Sequence, residues 1–113
     1  MIEFISGKLI KKESNSILVD VSGVGYKIFI SLNSYNNLCS INEHISIDTY
    51  FHVNENSQSL YGFKDKLEKE LFSMLISVSG IGPKTAINLL SAVQPKDFKN
   101  RLIAGEVKML TSL

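Results

Sequence analysis

Ser79-Gly80-Ile81-Gly82-Pro83-Lys84-Thr85-Ala86 ends one helical pattern and starts another, and the rest of the chain is read outward from it. Upstream, Leu67, Leu71, Met74, Leu75 and Val78 recur at helical spacing and share one face. Asp65 is expected to cap that helix, with Glu68 at the position of a capping-box partner. The glycines stop the helix, and Pro83 suits the first turn of a second one whose apolar positions are Ala86, Ile87, Leu89 and Leu90. Two more helical segments are expected over residues 95–104 and 106–113, with Gly105 as the break between them.

Further upstream the period changes. Ile17-Leu18-Val19-Asp20-Val21, Tyr26-Lys27-Ile28-Phe29-Ile30 and Ile45-Ser46-Ile47-Asp48-Thr49-Tyr50-Phe51 are rich in β-branched and aromatic residues. Residues 2–11 and 58–63 complete a set of five strands. Glu13-Ser14-Asn15-Ser16, Ser22-Gly23-Val24-Gly25 and Asn54-Glu55-Asn56-Ser57 supply turns between them. Five short strands with a longer polar link over residues 33–42 suit a small Greek-key barrel of the OB type, and a small sandwich fits nearly as well. The expected organisation is therefore a β-domain over residues 1–63 followed by a helical domain over residues 64–113.

Charge divides at the same place. Up to Phe63 four lysines face six acids, and beyond it eight basic residues face five acids, although the whole chain carries only +1. A duplex presents roughly one charge per 1.7 Å, so a chain this weakly basic needs several copies or several well-placed contacts to hold one. Cys39 is the single cysteine, so no intramolecular disulfide forms, and with His44 and His52 it leaves too few ligands for a structural zinc site. The acidic start and short apolar runs fit neither a signal peptide nor a membrane span, which points to a cytoplasmic protein.

Between two helices, the backbone N–H groups of Gly80, Ile81 and Gly82 would point outward at the start of the second helix. The positive end of that helix and the missing Cβ atoms favour close approach of a phosphate oxygen. Lys84 and the Thr85 hydroxyl stand where they add charge and a hydrogen bond, and none of these groups reads a base. Ile81 is expected to pack between the helices. A plain interhelical turn accounts for the glycines equally well by spacing alone.

The string Gly80-Ile81-Gly82-Pro83-Lys84-Thr85-Ala86 resembles the helix-hairpin-helix motif of DNA repair and recombination proteins. Together with Val21-Ser22-Gly23-Val24-Gly25-Tyr26, Leu60-Tyr61-Gly62-Phe63, Glu70-Leu71-Phe72 and the run from Leu75 to Lys84 it resembles the RuvA family, over nearly the whole chain. That resemblance implies an OB-fold domain, then a helical domain with two helix-hairpin-helix motifs. It implies binding of four-way Holliday junctions in branch migration, DNA recombination, DNA repair and the SOS response. The implied partners are the chain itself as a homotetramer or octamer, the RuvB ATPase and the RuvC resolvase. It also implies DNA-binding roles for Ser79, Gly80, Ile81, Gly82, Lys84 and Thr85, and an acidic pin at Glu55 and Asn56. Asn56 stands where the family pattern has a second acid, so the repulsion that helps separate strands at the junction centre is expected to be weaker. Met109-Leu110-Thr111-Ser112-Leu113 resembles the approach to the second hairpin. The chain is thus expected to be truncated relative to the family pattern, as a piece of a longer protein or as a shortened one that does not recruit RuvB in the ordinary way.

Rival readings are an oligomerisation module with little DNA binding of its own and a base-excision enzyme using Lys84 and Asp97. The second fails for want of room for a base pocket. No catalytic residue, cofactor or metal is expected. Gly23-Val24-Gly25 lacks the third glycine and the helix of a dinucleotide site and reads as a turn, and His44 and His52 have no partners at meaningful spacing. Tyr26, Phe29, Tyr50 and Phe51 could stack on bases, but packing in the core explains them better. Tyr50 and Phe51 must lie on opposite faces of one strand.

Overall fold

The computed structural model describes residues 1–77, 81–92, 96–97 and 100. Five strands, β1 (Phe4–Lys12), β2 (Ser16–Val21), β3 (Val24–Ile30), β4 (His44–Val53) and β5 (Gln58–Phe63), close into a barrel in the order β1-β2-β3-β5-β4. This is the OB-type barrel rather than the sandwich. β1 closes it by pairing its first half with β4, from Phe4↔Asp48 to Lys8↔His44, and its second half with β2. A register shift between Leu9 and Lys11 bends the strand between its two partners. β3 and β5 run parallel and the other pairs antiparallel.

Alternation then sorts the side chains. Ile5, Leu9, Ile17, Val19, Ile28, Ile30, Ile45, Ile47 and Leu60 fill the interior. At Gly7 and Gly62 the barrel requires the absence of a side chain. A Cβ at Gly7 would run into the backbone carbonyl of Asp20, and one at Gly62 would lie 2.6 Å from Ile28 Cγ2 and 2.9 Å from Ile47 Cδ1. The β2–β3 turn needs something different. Ser22 and Gly23 both have positive φ, 51° and 93°, as in a tight hairpin, and the Asp20 carboxylate accepts the Gly23 N–H at 2.8 Å.

The link between β3 and β4 differs from the expected polar loop. It holds a short helix, α1 (Leu32–Asn36), whose N-cap Ser31 accepts the Ser34 N–H. Ser31 and Ser34 lie three apart, so the spacing for this cap was in the sequence. Two longer helices follow, α2 (Lys66–Ser77) and α3 (Pro83–Ala92). They cover the outside of β5 and β4, where Tyr61, Phe63, Leu71, Phe72, Leu75, Ala86, Ile87, Leu89 and Leu90 form a second core. Phe72 is its centre, with ring centroids 4.8 Å from Phe63, 5.4 Å from Tyr50 and 5.6 Å from Tyr61. Tyr50 and Phe51 do face opposite ways. Tyr50 packs under the helices and Phe51 against the barrel interior, so the outward ring is a core residue as well.

Two details of α2 depart from expectation. Asp65 caps the helix, its carboxylate accepting the Leu67 N–H at 2.8 Å, but Glu68 does not reach back to close a capping box. It turns inward, to the hydroxyls of Ser31 and Ser34. Met74 lies off the buried stripe and is 49% exposed. Val78 and the two helical segments expected beyond residue 94 fall largely outside the described residues. Among the described residues no helix is long and apolar enough to cross a membrane.

Candidate nucleic-acid interface

A groove of about 740 Å³ runs between the barrel and the start of α3. One wall comes from the barrel, with Phe29, His52, Asn54, Ser57, Ser59 and Tyr61; the other comes from Gly82, Pro83, Lys84, Ile87, Asn88 and Ser91 of α3 and the residue before it. Strand alternation explains the barrel wall. Residues of β3, β4 and β5 that point out of the barrel beyond the cover of α2 line the groove instead. Phe29 packs on Tyr61 at 5.7 Å and His52 stacks on Tyr50 at 6.2 Å, so aromatic faces floor the cleft while amides and hydroxyls rim it. Burial pushes the Tyr61 hydroxyl above its ordinary value, against a smaller opposing effect of its bond with Ser59. Among the described residues that line the groove there is no aspartate or glutamate, which suits a polyanion.

At the α3 end, Gly82 is exposed, with open space where a Cβ would stand. Its carbonyl accepts the Ala86 N–H at 3.0 Å, which starts the helix and leaves the preceding amides outside the helical ladder. Ile81 is half-buried against the helical core, while Lys84 and Thr85 are exposed. Ser79 and Gly80 lie outside the described residues.

At the other end is the β4–β5 turn. The Asn54 side-chain oxygen accepts the backbone N–H groups of Asn56 and Ser57, both at 2.9 Å, and the Ser57 hydroxyl at 3.1 Å. This leaves Glu55 and Asn56 exposed at the tip, beside the groove that Asn54 and Ser57 line. Asn54 therefore organises the tip on which the two expected pin positions stand, a role that its place in a polar quartet did not reveal. The groove joins this tip to the start of α3. Asp97 is exposed and does not line it.

The position of α3 is fixed from the barrel side. Asn33 of α1 donates to the Leu90 carbonyl at 2.7 Å, near the far end of α3. The Ser91 hydroxyl accepts the Leu32 N–H at 3.0 Å and donates to the Ile87 carbonyl at 2.9 Å. Among the described residues no group of three or more His, Cys, Asp or Glu side chains is placed to hold a metal.

Comparison with known families agrees with this architecture. Residues 1–62 match the model of the RuvA N terminal domain, and residues 72–113 match the SAM-like helix-hairpin-helix tandem. Among curated proteins, the chain is 36% identical over 113 residues to the Holliday junction branch migration complex subunit RuvA of Salinibacter ruber, covering 100% of this chain and 56% of that protein. It is 41% identical over 113 residues to the Cytophaga hutchinsonii protein of the same name, again covering 100% of this chain and 56% of the relative. It is 45% identical over 96 residues to that of Francisella tularensis subsp. novicida, covering 85% of this chain and 44% of the relative. The chain thus spans about half the length of the curated relatives it matches. With a closed five-stranded barrel, two helices packed on its outer face and a family match across the whole barrel, the chain belongs to the RuvA N-terminal domain family.

Proposed function

We propose that this chain is the DNA-holding front part of a Holliday-junction scaffold that acts in branch migration. The observation that carries the reading is the acid-free groove that links the Glu55 tip to the start of α3. A duplex arm laid along it would place phosphates at the Gly82 and Ile81 amides, the α3 N-terminus, Lys84 and Thr85, with Ser79 and Gly80 completing the hairpin. The same placement sets Glu55 toward the point where strands exchange. There one carboxylate per subunit, with Asn56 beside it, repels phosphates. The grip reads backbone and no sequence. The chain performs no catalysis on this reading, and energy comes from a separate ATPase of the RuvB kind, with a resolvase of the RuvC kind acting on the same junction. Residues 1–63 serve as the assembly and pin-bearing domain, and residues 64–113 as the start of the DNA-holding domain.

The double variant Gly82→Ala/Lys84→Ala tests it. The open space at Gly82 predicts a folded protein, and retained thermal stability checks that. Four-way-junction affinity in a gel shift is expected to fall at least tenfold, and Lys84→Ala alone should reduce the slope of affinity against salt by about one. Unchanged affinity in the folded double variant would sink the reading.

One observation favours self-association as part of this function. Met1 and Phe4 are 97% and 62% exposed, and they line with Ile2, Val21 and Tyr26 a shallow hollow of about 590 Å³ on the barrel. Sedimentation with and without junction DNA separates a tetrameric scaffold from a module that only assembles. A tetramer that ignores the junction would favour the assembly reading.

A further inference from the structure

Glu68 lies where α2 meets α1 and is fully buried. Its Oε1 accepts the hydroxyls of Ser31 at 2.6 Å and Ser34 at 2.8 Å, while Oε2 is buried with no hydrogen-bond partner. The network extends further. The Ser34 hydroxyl accepts the Lys64 N–H at 3.1 Å, just past the end of β5, and the Ser31 hydroxyl caps α1. One carboxyl therefore ties the first turn of α2 to the N-cap of α1 and to the exit of the barrel. Since α1 also holds the far end of α3 through Asn33 and Leu32, both α2 and α3 are referred to the same short helix.

The surroundings are wrong for an anion. Among the described residues no cation pairs with Glu68, and α1 carries no charged side chain. The nearest lysine along α2, Lys69, reaches away to Glu3 at 3.6 Å, and α3 presents only apolar side chains to the shared core. The charge that bears on Glu68 is Asp65 on its own helix, of the same sign. Desolvating an isolated carboxylate costs more than two neutral hydroxyl donors return, and an orphaned anionic oxygen costs more than an orphaned hydroxyl.

We propose that Glu68 is a positioning residue that works as a neutral carboxylic acid, latching the helical hairpin to the barrel and releasing it as the acid ionises. In the latched form Oε1 is the carbonyl oxygen, both lone pairs used by serine hydroxyls, and Oε2 carries the proton. On release that proton passes to solvent and leaves a buried charge that only rearrangement of α2 against α1 can hydrate. Burial pushes the Glu68 carboxyl above the usual glutamate range, the Ser31 and Ser34 hydroxyls oppose this, and Asp65 adds to the rise. A raised folded value makes the contribution fully present below the unfolded glutamate value of about 4.3, and lost as pH rises through the folded value. The latch is therefore a device that loosens with alkali, opposite to the usual behaviour of a salt-bridged acid.

Glu68→Gln keeps the shape, both acceptor bonds and neutrality at every pH. In the 113-residue chain at about pH 6, where exposed carboxyls are ionised, infrared difference spectra should show a protonated-carboxyl C=O band that Glu68→Gln lacks. From about pH 5 to about pH 9 the melting temperature of the native chain should fall by several degrees relative to the Gln variant. Four-way-junction affinity should drop several-fold over the same interval in the native chain alone. Absence of the acid band, or a melting-temperature difference that does not change with pH, overturns the latch. The junction measurement rests on the function proposed above; if neither protein binds junctions at any pH, that function fails, and the infrared and melting results still judge the latch.

Discussion

The inside and outside of the barrel wall are built from different side chains. Inside, Ile5, Ile17, Val19, Ile28, Ile45 and Ile47 pack as stiff branched aliphatics around positions where even a methyl group does not fit. Outside, Phe29, Tyr50, Tyr61 and Phe63 make an aromatic platform on which Phe72 of α2 seats the helices, with Glu68 and two serines along its margin. The interior joins strands distant in sequence and leaves no room at its glycines, so it should not tolerate additions. The platform depends on one inserted ring, so it should not tolerate deletions. The candidate groove lies where the platform runs out from under the helices, and inherits its aromatic floor.

The sharpest break of that comparison is Phe72→Ala. Removing a fully buried ring that touches three others should cost about 3–5 kcal/mol. Urea unfolding followed by far-UV circular dichroism should show the helices melting first and the barrel surviving as a second transition. A single shared transition would mean that barrel and platform are one cooperative unit. Gly62→Ala probes the other side of the wall. The new methyl must displace Ile28 and Ile47, at a cost of about 1–3 kcal/mol, and the loss should appear in the barrel transition alone. The smallest effect belongs to Asn54→Ala at the exposed β4–β5 turn. Global stability should fall by no more than about 1 kcal/mol, while faster amide exchange at Asn56 and Ser57 reports the loosened tip. If junction affinity then drops as far as for the Gly82→Ala/Lys84→Ala variant, tip order matters to binding as much as the phosphate grip does.

Much of this was legible before any coordinates. Enrichment in β-branched and aromatic residues between turn-forming stretches placed all five strands, because such residues suit a pleated, buried surface, even in β5, where Leu60, Tyr61, Gly62 and Phe63 are all buried. Ala86, Ile87, Leu89 and Leu90 declared the buried face of α3 for the same reason at the helical period. The failures occurred where polar residues served distant partners. Glu68 has the spacing of a capping-box partner, which points to its own helix. Its hydroxyl partners lie 34 and 37 residues away, and nothing in their spacing marks the pair. Asn33 sat in a stretch read as a polar link for the same reason, and the outward rings of β3, β4 and β5 gave no sign of which would be covered.

By itself the sequence determined the five strands, the two longer helices and the buried face of α3, because those follow from residue type and periodicity within a few residues. Only the tertiary structure decided that α1 holds both later helices, that Glu68 is buried without a counter-ion, and that the Glu55 tip and the start of α3 share one groove. These depend on barrel closure, which brings residues far apart in the chain within hydrogen-bonding distance, and on the solvent that closure excludes.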